Sequence, residues 1–314
     1  DSLLMQFVHK SVLASECIEG LDIKPNGVYV DATLGGAGHS ALIAQRLEGG
    51  RLIGIDKDAD ALAAAKERLA PFGDKITYIH NDFKNLIAEL DGLGVEKIDG
   101  ILFDLGVSSY QLDNAERGMS YMADGPLDMR MDKEQSFTAA DVVNGYGEEH
   151  LADVIYEYGE ERLSRKIASR IVRRRAQNPY ESTSELAETI ISCYPPQERH
   201  KGRSLCKRTF QAIRIEVNSE LEGLYEVVIA AARRLKAGGR ICVITFHSLE
   251  DRIVKRAFNY LKADCVCPPR QPICTCGKKR EINIITKKPI TASADELEEN
   301  SRAASAKLRI AEKL

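Results

Sequence analysis

Over its first hundred residues this chain alternates two hydrophobic periods, and that alternation limits the folds open to it more than any other feature. Short β-branched runs at 28–33, 51–56, 75–80 and 98–105 read as strands. Between them lie helical stretches at 40–47 and 59–69, the latter apolar at Ala59, Leu62, Ala63 and Leu69. Strands alternating with helices imply parallel βαβ units joined by right-handed crossovers. The pattern stops near Glu116, and from there to Val217 no strong strand signal occurs. That stretch holds a loop at Asp124-Gly125-Pro126, then helical segments at 162–175, 182–191 and 207–218, with Ser182 as N-cap and Glu185 in the capping-box position. A helix over 221–235, a Gly238-Gly239 stop and a strand over 241–247 restore the first pattern, with two last strands at 281–286 and 307–311. The expectation is an α/β, Rossmann-like sheet domain at 1–115 and 216–314, interrupted by a mostly helical insertion at 116–215.

The balance of 44% hydrophobic and 29% charged residues in 314 is that of a globular protein with ample core. No apolar run approaches the ~18 residues of a membrane span and no basic-then-apolar signal opens the chain, so no membrane partner and a reducing cytoplasm are expected. A net charge of −3 argues against nucleic acid as a partner until its distribution is considered. Residues 161–214 hold 13 Lys or Arg against 5 acids, a local +8 that leaves −11 for the rest. Such asymmetry is the footprint of a polyanion landing on one part of a protein, with a merely solvated helix face as the alternative.

The strand at 28–33 carries Asp31 and runs into Gly35-Gly36-Ala37-Gly38-His39. Glycines at such a junction allow a sharp turn and a close ligand approach, and the N–H groups of the following helix face the ligand. The next strand ends in Asp56, placed to accept hydrogen bonds from both hydroxyls of an adenosine ribose. Which adenosine cofactor is less settled. Gly36-Ala37-Gly38-His39-Ser40-Ala41 fits the dinucleotide pattern G-x-G-x-x-[GA], so a nicotinamide dehydrogenase competes. Against it, a carboxylate at Asp31 suits the ammonium of S-adenosylmethionine and would repel a pyrophosphate. Asp82-Phe83 after the third strand fits the same donor, with Phe83 beside the adenine ring.

The fourth strand ends Phe103-Asp104-Leu105-Gly106-Val107-Ser108-Ser109, at the sheet edge where open α/β folds bind ligands. An acceptor there suits methyl transfer to an exocyclic base amine. The amine's lone pair is delocalised into the ring, and an acceptor on its N–H helps the nitrogen turn toward the methyl group; the rest is alignment. In order along the chain stand Asp31-Ala-Thr-Leu-Gly-Gly-Ala-Gly-His39-Ser40, Asp104-Leu-Gly-Val-Ser-Ser109, Glu116-Arg-Gly-Met-Ser120, Asp124-Gly-Pro-Leu-Asp-Met-Arg-Met-Asp132, Arg208-Thr-Phe-Gln-Ala-Ile-Arg-Ile-Glu-Val-Asn218 and Phe246-His-Ser-Leu-Glu-Asp-Arg252. With these blocks the chain resembles, over nearly its whole length, the bacterial ribosomal RNA small subunit methyltransferase H family, the 16S ribosomal RNA cytosine N4-methyltransferases. The resemblance implies a class I S-adenosylmethionine-dependent methyltransferase sheet with an inserted helical domain. It implies S-adenosylmethionine as donor and a P-site cytidine of 16S ribosomal RNA as acceptor, in the small subunit or a late assembly particle. By motif match the donor contacts fall on Ala37, Gly38, His39, Asp56, Phe83, Asp104 and Gln111, to which the strand-end reading adds Asp31 and Gly35. Gly36-Ala37 departs from many members, a change that backbone contacts tolerate.

Asp104, Ser109 and His247 are the candidate catalytic residues, His247 as proton acceptor or base contact, with Ser248 expected to cap the helix behind it. Along 207–218, Lys207, Gln211, Arg214 and Asn218 share one helical face opposite Phe210, Ile213 and Val217. That face, with Arg208, is expected to reach the substrate, as are Asp128 and Arg130 after the Gly125-Pro126 turn. Cys265, Cys267, Cys274 and Cys276 form C-x-C-x6-C-x-C stiffened by Pro268, Pro269 and Pro272. Four such thiols point to a structural zinc, with a reduced loop or a redox-sensitive pair as the alternative. Cys17, Cys193, Cys206 and Cys242 show no pairing logic. A non-catalytic RNA-binding module remains the rival to an enzyme.

Overall fold

The β-branched runs form the strands of one sheet. In a computed structural model describing residues 10–314, the chain begins α1 (Ala14–Leu21), β1 (Val28–Asp31), α2 (Gly38–Ala44), β2 (Arg51–Asp56), α3 (Ala59–Leu69), β3 (Ile76–His80), α4 (Leu86–Gly92) and β4 (Ile98–Asp104). Six helices follow: α5 (Ser109–Asp113), α6 (Ala139–Gly145), α7 (Glu148–Gly159), α8 (Ser164–Gln177), α9 (Thr183–Cys193) and α10 (Lys207–Asn218). The sheet resumes through α11 (Leu224–Arg233), β5 (Leu235–Thr245), α12 (Ser248–Lys262), β6 (Ile282–Ile284), α13 (Ala294–Glu299) and β7 (Lys307–Lys313). The chain divides into two compact units, one running to Gly106 and resuming over Leu221–Leu314, the other Val107–Glu220.

In the first unit the described strands lie in the order β3-β2-β1-β4-β5-β7-β6, parallel from β3 to β5, with β7 antiparallel to both its neighbours. Strand order reverses between β1 and β4, the switch point at which such sheets open a crevice. Side chains alternate across the pleat. Val30, Ile53, Ile101, Phe103, Ile241 and Val243 pack one face with α4, α11 and α12. Tyr29, Leu52, Leu102, Cys242, Ile244 and Ile310 pack the other with α1, α2 and α3. Strands buried on both faces need this near-continuous apolar pattern, and the same pattern makes them legible in the sequence.

Two expectations change here. Gly238-Gly239 does not stop a helix: α11 ends at Arg233 and β5 already begins at Leu235. The glycines sit inside β5, Gly238 at φ 83°, where the pairing with β4 slips between Ile98 and Gly100. Glycine takes up the local bend of a β-irregularity without a Cβ penalty. The helical unit also extends beyond 116–215 at both ends, because Val107 and Leu112 pack on its core and Arg214 pairs with Glu220.

The second unit packs α6–α10 around Leu151, Ile155, Ile167, Ile171, Ile190, Phe210 and Ile213, with Met119, Met129 and Met131 filling from the preceding loop. Ser182 caps α9, accepting from the Glu185 N–H at 3.2 Å, while Glu185 takes the Ser182 hydroxyl instead of closing the box on backbone. All four cysteines outside the C-x-C segment are buried. Among the described residues no helix is long and apolar enough to cross a membrane.

The antiparallel strand is tied down by Asp251 of α12, which accepts from Arg309 Nε and Nη2 of β7 at 2.7 and 2.9 Å. Burial alone would push the Asp251 carboxyl up, but the Arg309 guanidinium holds it below the usual range, so its contribution is present at neutral pH and lost on acidification. Asp251→Ala strands the Arg309 charge and is expected to cost about 3 kcal/mol in urea unfolding at pH 7. A loss under about 0.5 kcal/mol would show the pair to be worth no more than a surface bridge.

Candidate functional site

Three adjacent parallel strands, β2, β1 and β4, end in Asp56, Asp31 and Asp104. Each carboxylate is oriented by neighbours that the local chain supplies. Asp31, 1% exposed, accepts from Ser40 Oγ of α2 at 2.7 Å and from the Thr33 N–H at 3.1 Å. Thr33 Oγ1 in turn accepts from the Asp104 N–H at 2.7 Å, joining the ends of β1 and β4. Asp56 accepts from the Gly35 N–H on one oxygen at 2.7 Å and from the Asp58 N–H on the other at 2.8 Å. A carboxylate oxygen has two lone pairs, so each oxygen of Asp56 keeps an acceptor site. Burial pushes Asp31 up, and pushes Asp56 and Asp104 up to about 6.

The turn between β1 and α2 is held in left-handed backbone at Gly35 (φ 51°) and, against the usual preference, at the fully buried Ala37 (φ 63°). Gly36 faces open space, whereas a Cβ at Gly38 would lie 1.8 Å from Ser11 Oγ. The segment before α1 therefore lies directly on this turn. It also fixes His39: the ring Nε2 is 2.8 Å from the Val12 carbonyl, which can only accept. Nε2 thus carries a proton, and Nδ1 faces Asp104 Oδ2 at 3.5 Å. A lone pair opposite a carboxylate repels, so the contact is attractive only with a proton between ring and carboxyl. The side chain of Asp104 remains 27% exposed. Phe83 follows β3 and packs edge-on against Phe103 at 5.6 Å, while Asp82 caps its own short turn through the Lys84 N–H at 3.0 Å and lies 3.6 Å from Lys57 Nζ.

His247 stands just past β5, whose Ile244 is paired with Asp104. It is His247, not Ser248, that caps α12: its Nδ1 accepts from the Glu250 N–H at 3.4 Å, and its Nε2 lies 3.3 Å from the Glu250 carboxylate. The helix starts one residue earlier than the sequence suggests, so His247, in extended backbone, occupies the N-cap position and Ser248 already lies in the first turn.

In the helical unit the expected residues have partners of their own. Ser109 opens α5 behind a capping box in which Gln111 Oε1 accepts from the Ser108 N–H and Ser108 Oγ from the Gln111 N–H, both at 3.2 Å. Arg130 grips Asp128 through two nitrogens at 2.8 and 2.9 Å and also donates to the carbonyls of Lys133 and Gln135. Burial would raise the Asp128 carboxyl, but Arg130 holds it low. Gln211 donates to the Tyr158 carbonyl at 2.9 Å, Arg214 pairs with Glu220 at 3.0 Å, and Asn218 bridges the Met131 N–H and the Met129 carbonyl at 2.8 Å each. Arg208 is exposed, with one bond to the Glu160 carbonyl at 3.2 Å. Sequence reasoning missed a cavity of about 420 Å³ in this unit, lined by Arg162, Lys201, Lys207 and Arg208 with Glu161 and Glu198. The basic count pointed to the stretch, but nothing in the spacing brought the ends of α7, α9 and α10 together. The exposed side of α8 adds Lys166, Arg170 and Arg173, spaced i, i+4, i+7. The four C-x-C cysteines converge elsewhere, in the first unit, with ligand atoms within 4.8 Å of one another.

A carboxyl near 6 in the folded chain and near 4 when unfolded binds protons preferentially in the folded state between those values. Asp56 and Asp104 therefore make the ligand-free protein gain stability as pH falls from 7 toward 4. Asp104→Asn is expected to raise stability at pH 7.5 by about 1–2 kcal/mol and to flatten that slope, read by thermal unfolding at pH 5, 6 and 7.5. A variant no more stable than the parent at pH 7.5 contradicts this.

Comparison with known proteins gives the site its context. The MraW methylase family matches residues 6–314. "Ribosomal RNA small subunit methyltransferase H" of Clostridioides difficile is 53% identical over 99% of this chain and 100% of its own length. The proteins of that name from Clostridium botulinum and Lachnospira eligens are 54% and 53% identical, over 99% of this chain and 100% and 99% of theirs. A methylase family leaves no place for the dehydrogenase alternative. The chain belongs to the MraW methylase family.

Proposed function

We propose that this protein transfers the methyl group of S-adenosylmethionine to the exocyclic N4 amine of a P-site cytidine in 16S ribosomal RNA, in the cytoplasm, acting on the small subunit or a late assembly particle. The observation that carries the reading is the run of strand-end aspartates beside the glycine turn, in a chain matched end to end by relatives bearing the name of that methyltransferase. The site fits such a donor: Asp56 keeps acceptor capacity for two ribose hydroxyls, the turn is open at Gly36, and buried negative charge at Asp31 and Asp104 favours a cation.

S-adenosylmethionine supplies an electrophilic methyl on a positive sulfur. Asp56 would hold the ribose and Phe83 the adenine, Gly35, Ala37, Gly38 and His39 would offer turn backbone, and Asp31 would meet the ammonium. Asp104 accepts from the cytidine N4–H, which localises the nitrogen lone pair and aligns it. At about 6, Asp104 is ionised at neutral pH yet more basic than an ordinary carboxylate, so it suits taking up the proton the amine loses. His39, whose Nε2 is fixed by Val12, faces Asp104 with Nδ1 and stabilises the carboxyl once a proton lies between them. His247 past β5, and Ser109 and Gln111 of the helical unit, are the further residues assigned to the reaction, Gln111 by its side-chain amide. Asp128 and Arg130 brace the substrate loop, and Arg214, Gln211 and Asn218 hold α10 so that Arg208 and its basic neighbours meet RNA phosphates.

Radiolabelled methyl transfer to small subunits from a strain lacking the enzyme, followed by nucleoside analysis, is expected to yield N4-methylcytidine. Asp104→Asn should lower the single-turnover rate by about 10²-fold or more. Label in another nucleoside, or full activity in the variant, would overturn the respective assignments. Lys166→Glu/Arg170→Glu/Arg173→Glu should weaken RNA binding and make the log–log salt dependence shallower by about one for each phosphate no longer engaged. An unchanged slope would remove α8 from the RNA surface.

A further inference from the structure

Methyl transfer leaves one built cluster unused, the cysteine segment between α12 and β6. Residues 264–277 contain no helix or strand, and none of them is buried. Val266 and Ile273 are 49% and 73% exposed, so the segment has no apolar core of its own to order it. Yet four sulfurs converge in it. The Sγ–Sγ distances are 3.5 Å for Cys265–Cys274, 3.9 Å for Cys267–Cys274, 3.6 Å for Cys274–Cys276 and 3.8 Å for Cys276–Cys265. Two disulfides would give two short separations and four long ones, whereas these are nearly equal. Four thiolates at the ~2.3 Å zinc–sulfur distance define a tetrahedron with an edge of about 3.8 Å.

The backbone around the sulfurs is arranged to match. The N–H of Cys267 points at Cys265 Sγ (3.4 Å), that of Thr275 at Cys267 Sγ (3.4 Å), and those of Val266 and Lys278 at Cys276 Sγ (both 3.5 Å). Such donors orient thiolates and offset the charge that four of them gather. Lys278 also anchors the segment to α12, its Nζ bonding the Ala263 carbonyl at 3.1 Å, while the Glu281 N–H bonds the Leu261 carbonyl at 2.8 Å just before β6.

We propose that Cys265, Cys267, Cys274 and Cys276 bind one zinc ion in a closed, four-thiolate tetrahedral site. Each thiol gives its proton to solvent as it ligates. With four protein ligands no position is open to water or substrate, so the site is structural: it orders an excursion that has no core and fixes the passage from α12 into β6.

Protein purified under reducing conditions without chelator should contain about one zinc per chain by elemental analysis. Replacing zinc with cobalt should give the intense visible and near-ultraviolet bands of tetrahedral thiolate ligation. Cys265→Ser/Cys274→Ser should lose both metal and bands while the far-ultraviolet circular dichroism of the sheet unit persists. Removing the metal from the parent protein should speed amide exchange over 264–281 and leave β1, β4 and β5 protected. Under about 0.2 zinc per folded, reduced chain, iron in its place, or cobalt bands that survive in the double variant would each overturn the assignment. None of these readouts depends on methyl transfer.

Discussion

Three carboxylates at the rim of one parallel sheet are an electrostatic burden, and the site is arranged around carrying it. Asp56, Asp31 and Asp104 close neighbouring strands, so each sits in the field of the next as well as under protein. Burial disfavours their charge, and the fold answers with oriented donors, Ser40 and Thr33 for Asp31 and two backbone N–H groups for Asp56, while the His39 ring helps Asp104 only when a proton lies between them. These donors offset the penalty only in part, since Asp56 and Asp104 still stand near 6. What remains is a site whose own stability would improve with less charge, and which therefore favours a ligand that brings positive charge.

The imidazole shows how tightly local chemistry and fold are joined. His39 acts on Asp104 in a defined way because a main-chain carbonyl from the segment before α1 dictates which nitrogen carries the proton. That segment is itself anchored to the far end of the chain, where Glu296 of α13 accepts from the Leu13 N–H at 2.7 Å and Asn300 donates to the Lys10 carbonyl at 3.1 Å. Residues remote in sequence thus settle the protonation geometry at the end of β4.

Much of the sheet could be read from residues alone, because strands buried on both faces leave continuous β-branched runs and strand ends can be counted from them. β2, α3 and α10 fall where the pattern put them. Less legible were positions where one residue type serves two purposes. Glycine pairs end helices and also bend strands, and Gly238-Gly239 does the second. A strand-end histidine reads as chemistry, yet His247 also caps a helix. The polar face of α10 looks like a surface waiting for ligand, but Gln211, Arg214 and Asn218 bond within their own unit. Periodicity reports which residues share a face and is silent on what covers that face. The cavity floored by Glu161, whose carboxylate takes the Tyr194 hydroxyl, left no sequence signal because its walls come from separated segments.

The glycines of the β1–α2 turn carry a lesson about reading such motifs. Gly36 and Gly38 sit two apart, as a nucleotide-binding signature demands, but only Gly36 borders empty space; Gly38 is small because a serine hydroxyl from the N-terminal strap occupies the place of its side chain. A packing demand and a ligand demand have fallen into the same register. A side chain at position 38 would first have to turn the Ser11 hydroxyl aside, next to the Val12 carbonyl that sets the histidine tautomer, before any cofactor was involved.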